Sequence, residues 1–368
     1  MTVMTGVDLP AGSPGGSVEL LKDLYLRPGH PIAADVFMLA SGTATSAKAA
    51  DRGEPGPADG ATLLRVHGKQ LDGHGFWTYV ADLSVAISRE FTPDGCAVVH
   101  LQHLAFGATP ALLRAFPRHP HIALVHGTDL LCAAAHPTQR DVLNEAVHAA
   151  RAVVVPTVAM ADHLRRLSVR EPRRLAHIPW GIPDSLFPPR RQPRGRDDGE
   201  FRVLFAGRLS AEKGAAALIG ELAGLAGITL SVAAPPGEFG ELSRQVDVCG
   251  VHYLGWLDRP RLWDAFAEHD LLIVSSTTLE AFGLVAVEAQ ACGLPVLYRP
   301  VPGLIEVLGQ SAARVGGSPG TFAAAVRDLS RDPGALRDLR DAGWRNAARF
   351  PLSRTACDLA ALTGEVLA

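Results

Sequence analysis

No apolar run in the sequence approaches the length needed to cross a bilayer, and no basic stretch followed by an apolar core opens it. Both shortages point to a cytoplasmic protein. Cysteine is also scarce. Cys96, Cys132, Cys249, Cys292 and Cys357 are scattered, odd in number and without metal-ligand spacing, which excludes a disulfide framework and a zinc module and leaves reduced, mostly buried thiols. There is no excess of positive charge. The net charge of −3 argues against nucleic acid or any general polyanion as a partner, so a positive site must be local. No repeat with a period of 20 to 50 residues is visible, which excludes a solenoid or propeller.

What is there is a chain of 368 residues, 47% hydrophobic, long enough for two domains of about 150 residues each. A weak strand at 2–9 leads through Gly12-Ser13-Pro14-Gly15-Gly16-Ser17 into a helical pattern at 18–26. Such a turn lets backbone approach an anion, although a plain tight turn reads equally well and Glu19 would oppose an anion unless it points away. Apolar runs at 36–39, 63–66, 97–101, 122–125 and 153–155 then alternate with helical stretches at 77–89, 108–116, 139–150 and 158–167. That alternation predicts a parallel sheet. Residues 43–60 read as a surface loop or disordered insertion, and 186–200 as an interdomain linker. Beyond the linker the alternation restarts, with strands at 201–206, 228–233, 251–254 and 271–274, helices at 211–225 and 261–268, and a tail of helices broken at Pro333 and Pro351.

The most informative stretch is Ser275 to Val296. Its strand, turn, helix and strand form a βαβ unit, with Glu280 at the carboxyl end of the first strand. Ligands of open α/β sheets bind at that edge, and the N–H groups of Phe282, Gly283 and Leu284 at the helix start suit a phosphate. Glu288, about one and a half turns into the helix, is placed to reach past the phosphates to a ribose. The turn Gly207 to Gly214 adds Arg208, a planar fork for a diphosphate, and Lys213, a point charge. By itself that turn reads equally as solvated surface; with the Glu280 unit it gains a ligand.

In the first half, His126-Gly127-Thr128-Asp129 follows a strand. Thr128 or Asp129 as a simple helix cap is one reading, and His126 in a ligand site is the other. His67, His100 and His103 also stand at strand ends, which makes a shared edge more plausible than any one of them alone. The nine arginines between Arg165 and Arg196 have few apolar anchors beside them, so a solvated face is preferred to a lipid-docking patch.

With these pieces in order, the chain resembles the retaining glycosyltransferases of family 4. The resemblance is carried by Gly15-Gly16, His126-Gly127-Thr128-Asp129, Ile178-Pro179-Trp180-Gly181-Ile182, Gly207-Arg208 with Glu212-Lys213-Gly214, and Glu280 to Leu284 ending at Glu288. It implies an α/β chain of GT-B architecture, two facing Rossmann-like domains with a deep interdomain cleft. An acceptor-binding domain would span 1–184, a nucleotide-sugar domain 185–350, and a helix over 351–368 would cross back to the first domain. Trp180, where the family usually has Asn, and Pro351, in place of an aromatic residue, are departures that bear on the hinge and on the docking of the tail.

The resemblance also implies a sugar nucleotide as co-substrate, with no resident cofactor and no tightly bound metal. Arg208 and Lys213 would hold the diphosphate and stabilise its departing charge, Glu280 would orient the sugar and His126 would sit beside it. Gly15, Gly16, Phe282, Gly283, Leu284 and Glu288 would complete the donor site. For the acceptor, the candidates are His67, Lys69, Asp72 and His74 in one polar loop, with His103 and Asp129. A UDP-hexose or UDP-amino-hexose donor and a small polar acceptor, such as the aminocyclitol core of an antibiotic, are the expectation. A membrane glycolipid or polyisoprenoid acceptor, or a nucleotide-sugar epimerase on the same scaffold, are the alternatives.

Overall fold

The computed structural model describes residues 2–40, 60–187, 199–316, 318 and 320–368; the expected insertion at 43–60 and linker at 186–200 lie largely outside the described residues. The chain divides into two compact units, Met1–Pro179 with Leu352–Ala368, and Trp180–Pro351. The first change of unit therefore falls a few residues before 184/185. Trp180 is buried, the Ile182 N–H donates to the Phe350 carbonyl at 3.0 Å, and Ile182 bridges Pro351, so this segment is drawn into the second unit.

The first unit is built on β1 (Val3–Pro10), β2 (Ala34–Leu39), β3 (Thr62–Leu64), β4 (Val98–Leu101), β5 (His121–Leu124), β6 (Ala152–Val155) and β7 (Leu175–His177). They form one sheet in the order β3-β2-β1-β4-β5-β6-β7, parallel throughout. The second unit holds β8 (Phe201–Ala206), β9 (Ile228–Ala233), β10 (Val251–Gly255), β11 (Leu271–Val274), β12 (Val296–Tyr298) and β13 (Ala313–Arg314), again parallel, in the order β10-β9-β8-β11-β12-β13. Helices on both faces bury the central strands completely, which is why β4, β5, β6 and β11 read as continuous apolar runs without a period of two. Each sheet reverses its winding once, between β1 and β4 in the first and between β8 and β11 in the second. In open α/β sheets, ligands bind outside the carboxyl ends of the strands at such a point.

Several elements escaped the sequence reading, among them the helix Leu304–Leu308 and β13. β7 is a three-residue edge strand, too short and too exposed for an apolar signal, and the helix Pro236–Leu242 hides in the Gly/Pro-rich run PPGEFGEL. The tail does form three helices, Thr321–Ser330, Pro333–Ala347 and Leu352–Leu367, with the breaks where the prolines stand.

The last of these helices is secured to the first unit by a buried polar chain. The Thr363 hydroxyl donates to the Leu359 carbonyl at 2.7 Å, so it accepts from His100 Nε2 at 3.1 Å, and Nδ1 is left to accept from the Tyr25 hydroxyl at 2.9 Å. The Thr355 hydroxyl adds a bond to the Pro179 carbonyl at 2.8 Å. His100 thus serves the core and not a ligand edge, contrary to its place among the strand-end histidines. Burial depresses its pKa to about 3, which keeps the ring neutral.

An unfolded chain protonates this histidine near 6.5, so its contribution to stability is complete above that pH and is lost progressively as the pH falls towards 3. The expected outcome in urea titrations is a loss of unfolding free energy between pH 6.5 and 4, with His100 accounting for up to about 1.4 kcal/mol per pH unit. His100→Gln should be less stable at pH 7 and show a shallower pH slope.

Candidate active site

The reversal point of the second sheet brings two strand-to-helix turns together. After β8, Ser210 to Lys213 form a single tight turn that ends on Gly214 in the left-handed region at φ +67°. A Cβ there would lie 2.5 Å from the Ser275 carbonyl oxygen, so only glycine lets this turn close on the one that follows β11. The two are stitched by the Ser275 hydroxyl to the Lys213 carbonyl at 2.7 Å and by the Thr277 N–H to the Glu212 carbonyl at 2.8 Å. The result is a Lys213 Nζ to Glu280 Oε2 contact of 2.5 Å, and the Ser276 hydroxyl donates to the same oxygen at 2.9 Å. Behind Glu280, Gly303 at φ +88° approaches so closely that a Cβ would lie 1.8 Å from the Glu280 carbonyl oxygen.

Gly283 caps the helix Leu284–Ala291, two residues later than the helical pattern suggested, and the first turn of that helix lies directly after the Glu280 loop. Phe282 is buried and packs edge-to-face on Phe350 at 5.1 Å, so an aromatic residue next to Pro351 anchors this loop. Glu288 sits within the helix and is almost fully buried. Its Oε1 accepts from Arg259 Nε at 3.1 Å and Nη2 at 2.6 Å, and its Oε2 accepts from Trp263 Nε1 at 3.0 Å. Arg208 points elsewhere. Its Nε donates to Glu238 Oε1 at 3.1 Å, and Glu238 Oε2 accepts from the Leu209 N–H at 2.6 Å, so a residue on the unrecognised helix Pro236–Leu242 orients the guanidinium. The four donors on its two terminal nitrogens are not part of that bond.

In the first unit, the reversal point between β1 and β4 collects a second set of groups. Lys69 Nζ lies 2.6 Å from the Asp8 carbonyl and 3.1 Å from Asp8 Oδ2, and the latter oxygen also accepts from the Gly107 N–H at 3.1 Å. The polar loop carrying Lys69 is anchored further by Gln139, which donates to the Leu71 carbonyl at 2.5 Å and accepts from the Phe106 N–H at 2.7 Å, and by the Asp72–His136 contact at 2.5 Å. Phe106 adopts φ +69°, the one positive φ outside glycine among the described residues. The His103 and His126 rings lie 4.9 Å apart between centroids, tilted by 52°. Burial first, and then the Lys69 charge, hold His103 at a pKa of about 3; burial and then the neighbouring His103 hold His126 well below the usual histidine range. Both rings are neutral at physiological pH.

The glycine-rich turn near the N-terminus supplies Gly15 as the cap of the helix Gly16–Tyr25. Glu19, one turn in, is paired with Lys22 at 3.0 Å and with Arg27, which takes its charge away from the helix start.

A family model described as Glycosyltransferase Family 4 matches residues 34–186, and one described as Glycosyl transferases group 1 matches residues 187–346. Together they run along most of the chain, in the order of the two sheets. The chain is a family 4 glycosyltransferase of GT-B fold. Among curated proteins, it is 29% identical over 378 residues to D-inositol 3-phosphate glycosyltransferase 1 of Catenulispora acidiphila, covering 92% of this chain and 85% of that protein. It is 32% identical over 238 residues to D-inositol 3-phosphate glycosyltransferase 2 of the same organism, covering 58% of this chain and 56% of that one. Among solved structures, sucrose-phosphate synthase from Thermosynechococcus elongatus superposes with a TM-score of 0.81 at 19% identity, covering 100% of this chain and 99% of the other. Anabaena Alr3699/HepE in complex with UDP and glucose gives 0.76 at 19% identity, covering 99% and 100%. At such identities the superpositions show the fold alone.

In this glycosyltransferase the expected site residues separate into groups. Lys213 and Glu280 meet, beside Gly283 and Leu284 at the helix start, and Lys69, His103 and His126 share the reversal point of the first sheet. His67 is exposed on the polar loop, and His74 is exposed in the first turn of the helix Gly73–Glu90. Arg208 is tied to Glu238, and Glu288 is held by Arg259 and Trp263. One expectation needs correction. Asp129, expected to face an acceptor, is fully buried, with Oδ2 accepting from the Leu104 N–H at 3.0 Å and Oδ1 from the N–H groups of His126 and Leu130 at 3.2 and 3.1 Å. It binds two strand-end loops to each other, and the cap of the helix Thr128–Ala135 is Gly127, not Thr128 or Asp129. Asp8, Glu238, Arg259 and Trp263 were missed. Only the last two left a usable signal, since positions 259 and 263 share a helix face.

Asp129→Ala would leave three buried N–H groups without their acceptor. The expected cost is about 3 kcal/mol or more of unfolding free energy, measured by urea titration at pH 7.

Proposed function

We propose that this enzyme transfers a hexosyl or amino-hexosyl group from a UDP-sugar, with retention at the anomeric carbon, to a small polyhydroxylated acceptor of the cyclitol class. The Lys213–Glu280 pair beside the Leu284 helix start carries the reading. An ammonium has three donors and Glu280 takes one, which leaves two for a diphosphate lying against the helix N–H groups. Glu280, held by Lys213 and Ser276, keeps an acceptor oxygen for hydroxyls of the donor sugar. Arg208, braced by Glu238, adds its terminal N–H groups to the diphosphate. As the glycosyl bond breaks, negative charge grows on the departing diphosphate, and these preset cations stabilise it more than they stabilise the intact donor. Arg208 and Lys213 are assigned the charge-stabilising role that metal ions play elsewhere.

His126 is a poor general base, because a ring held neutral to well below the usual range has little proton affinity at pH 7. It is assigned to positioning the sugar, where a neutral ring tolerates the positive charge that develops at the anomeric carbon. The acceptor proton then passes to the departing phosphate oxygen on the face from which the acceptor attacks, which accounts for retention. UDP is supported by the HepE complex, and the cyclitol class by curated relatives named for D-inositol 3-phosphate. The curated relatives reported above are named for D-inositol 3-phosphate and not for an antibiotic core, so the aminoglycoside-type acceptor is not carried forward. No helix among the described residues is long and apolar enough to cross a membrane.

Lys213→Ala and Glu280→Gln should each lower kcat by about 10²- to 10³-fold while the melting temperature without ligand stays within a few degrees. UDP should raise that temperature in the wild type. Turnover of UDP-hexoses with inositol phosphate, free inositol and an aminocyclitol as separate acceptors tests the acceptor class. Unchanged kcat in Lys213→Ala would overturn the assignment of the diphosphate site.

A further inference from the structure

The cation at the reversal point of the first sheet is already taken. An ammonium has three donors, and Asp8 occupies two of those on Lys69, through its carbonyl at 2.6 Å and Oδ2 at 3.1 Å. One donor remains, on a side chain that is 33% exposed above an Asp8 side chain that is 4% exposed. The pairing is built into the backbone. With Phe106 at φ +69°, the chain leaving β4 brings the Gly107 N–H to 3.1 Å from the same Oδ2. A Cβ at position 107 would lie 2.5 Å from the Tyr79 ring and 3.0 Å from Asp8 Oδ2, so glycine is what lets these groups close on one another. Burial first, and then the Asp8 charge, push the Tyr79 phenol up, so a neutral ring lies beside the acid and Lys69 carries the compensating charge.

Neighbouring cations are held in the same way. Lys22 pairs with Glu19, Arg27 with Glu19 and Asp23, and His136 with Asp72. The Cys132 thiol reports the balance of charge nearby. Burial first, and then Asp72 and Asp129, push it up to about 11, with Lys69 opposing and Asp8 adding to the rise. A phosphate arriving here meets more acid than base. To draw Lys69 to itself it must also leave a buried carboxylate without its partner, which is costly. A hydroxyl asks only for the donor that remains.

We infer that Asp8, a positioning residue for Lys69, sets the acceptor class: by neutralising that lysine it selects a cyclitol that carries no phosphate, one of whose hydroxyls accepts the remaining Lys69 N–H. The inference rests on the cyclitol reading above and narrows it. On this point the enzyme departs from the relatives named for D-inositol 3-phosphate. Selectivity of this kind works by penalising the competitor, since the neutral acceptor gains no contact that the phosphorylated one could not also make.

The test is the ratio of kcat/KM for myo-inositol to that for D-inositol 3-phosphate, with a saturating UDP-hexose, in the wild type and Asp8→Asn, with unfolding curves for both. The wild type should favour myo-inositol by about tenfold or more, and Asp8→Asn, which releases the lysine charge, should move the ratio by about tenfold or more towards the phosphate. An Asp8 that served only the fold would slow both acceptors together and leave the ratio intact, which would overturn the inference. Should Asp8→Asn fail to fold, the salt dependence of the wild-type ratio decides. Repulsion is screened by salt, so the preference for myo-inositol should shrink as NaCl rises from about 20 to about 300 mM; a preference that holds or grows would overturn the inference. Wild-type preference for D-inositol 3-phosphate would overturn it too and leave the cyclitol reading standing. Transfer to neither acceptor would overturn the cyclitol reading and this inference with it.

Discussion

An ammonium and a carboxylate 2.5 Å apart, delivered by two different strand-to-helix turns, set the terms for the second unit of this protein. Lys213 and Glu280 are 67 positions apart in the chain. They meet only because β8 and β11 are neighbours at the point where the sheet reverses its winding. That closeness needs glycine at 214, where a side chain would strike the Ser275 carbonyl, and at 303, where one would strike the Glu280 carbonyl. Much of the surrounding sequence can be understood as backbone made compact enough for one ion pair to form at a mouth that also carries a helix start.

The first unit uses its buried charges differently. Asp129 is spent on backbone N–H groups, and burial raises its carboxyl to a pKa of about 6 against the pull of those bonds. His100 is spent on joining the final helix to the sheet. The groups remaining at the reversal point, Asp8, Lys69, His103 and His126, combine one compensated ion pair with two neutral rings. Such a lining is polar without strong net charge, which suits a hydroxyl-rich molecule whose recognition depends on hydrogen bonds more than on attraction.

Support from neighbouring side chains recurs across both units. Glu238 braces Arg208, Arg259 and Trp263 brace Glu288, Ser276 braces Glu280, and Gln139 braces the loop that carries Lys69. A cation or carboxylate with its rotamer already chosen loses less freedom when a ligand arrives, and it is already aligned with the charge that appears during reaction.

The two parallel sheets, the strand-end placement of Glu280, Lys213 and His126, and the membership of the family were all legible in the sequence. They depend on local patterns: apolar runs bounded by turns, and short motifs whose spacing is kept within one turn of chain. Tertiary structure alone decided which partners those residues take. Nothing local distinguishes Glu238 from any surface acid on a Gly/Pro-rich segment, or marks Asp129 as a holder of backbone and His100 as a link to a helix more than 250 residues away. Each of those roles is set by which loops the order of the strands brings side by side, and hydrogen bonds between distant loops leave no periodicity to read.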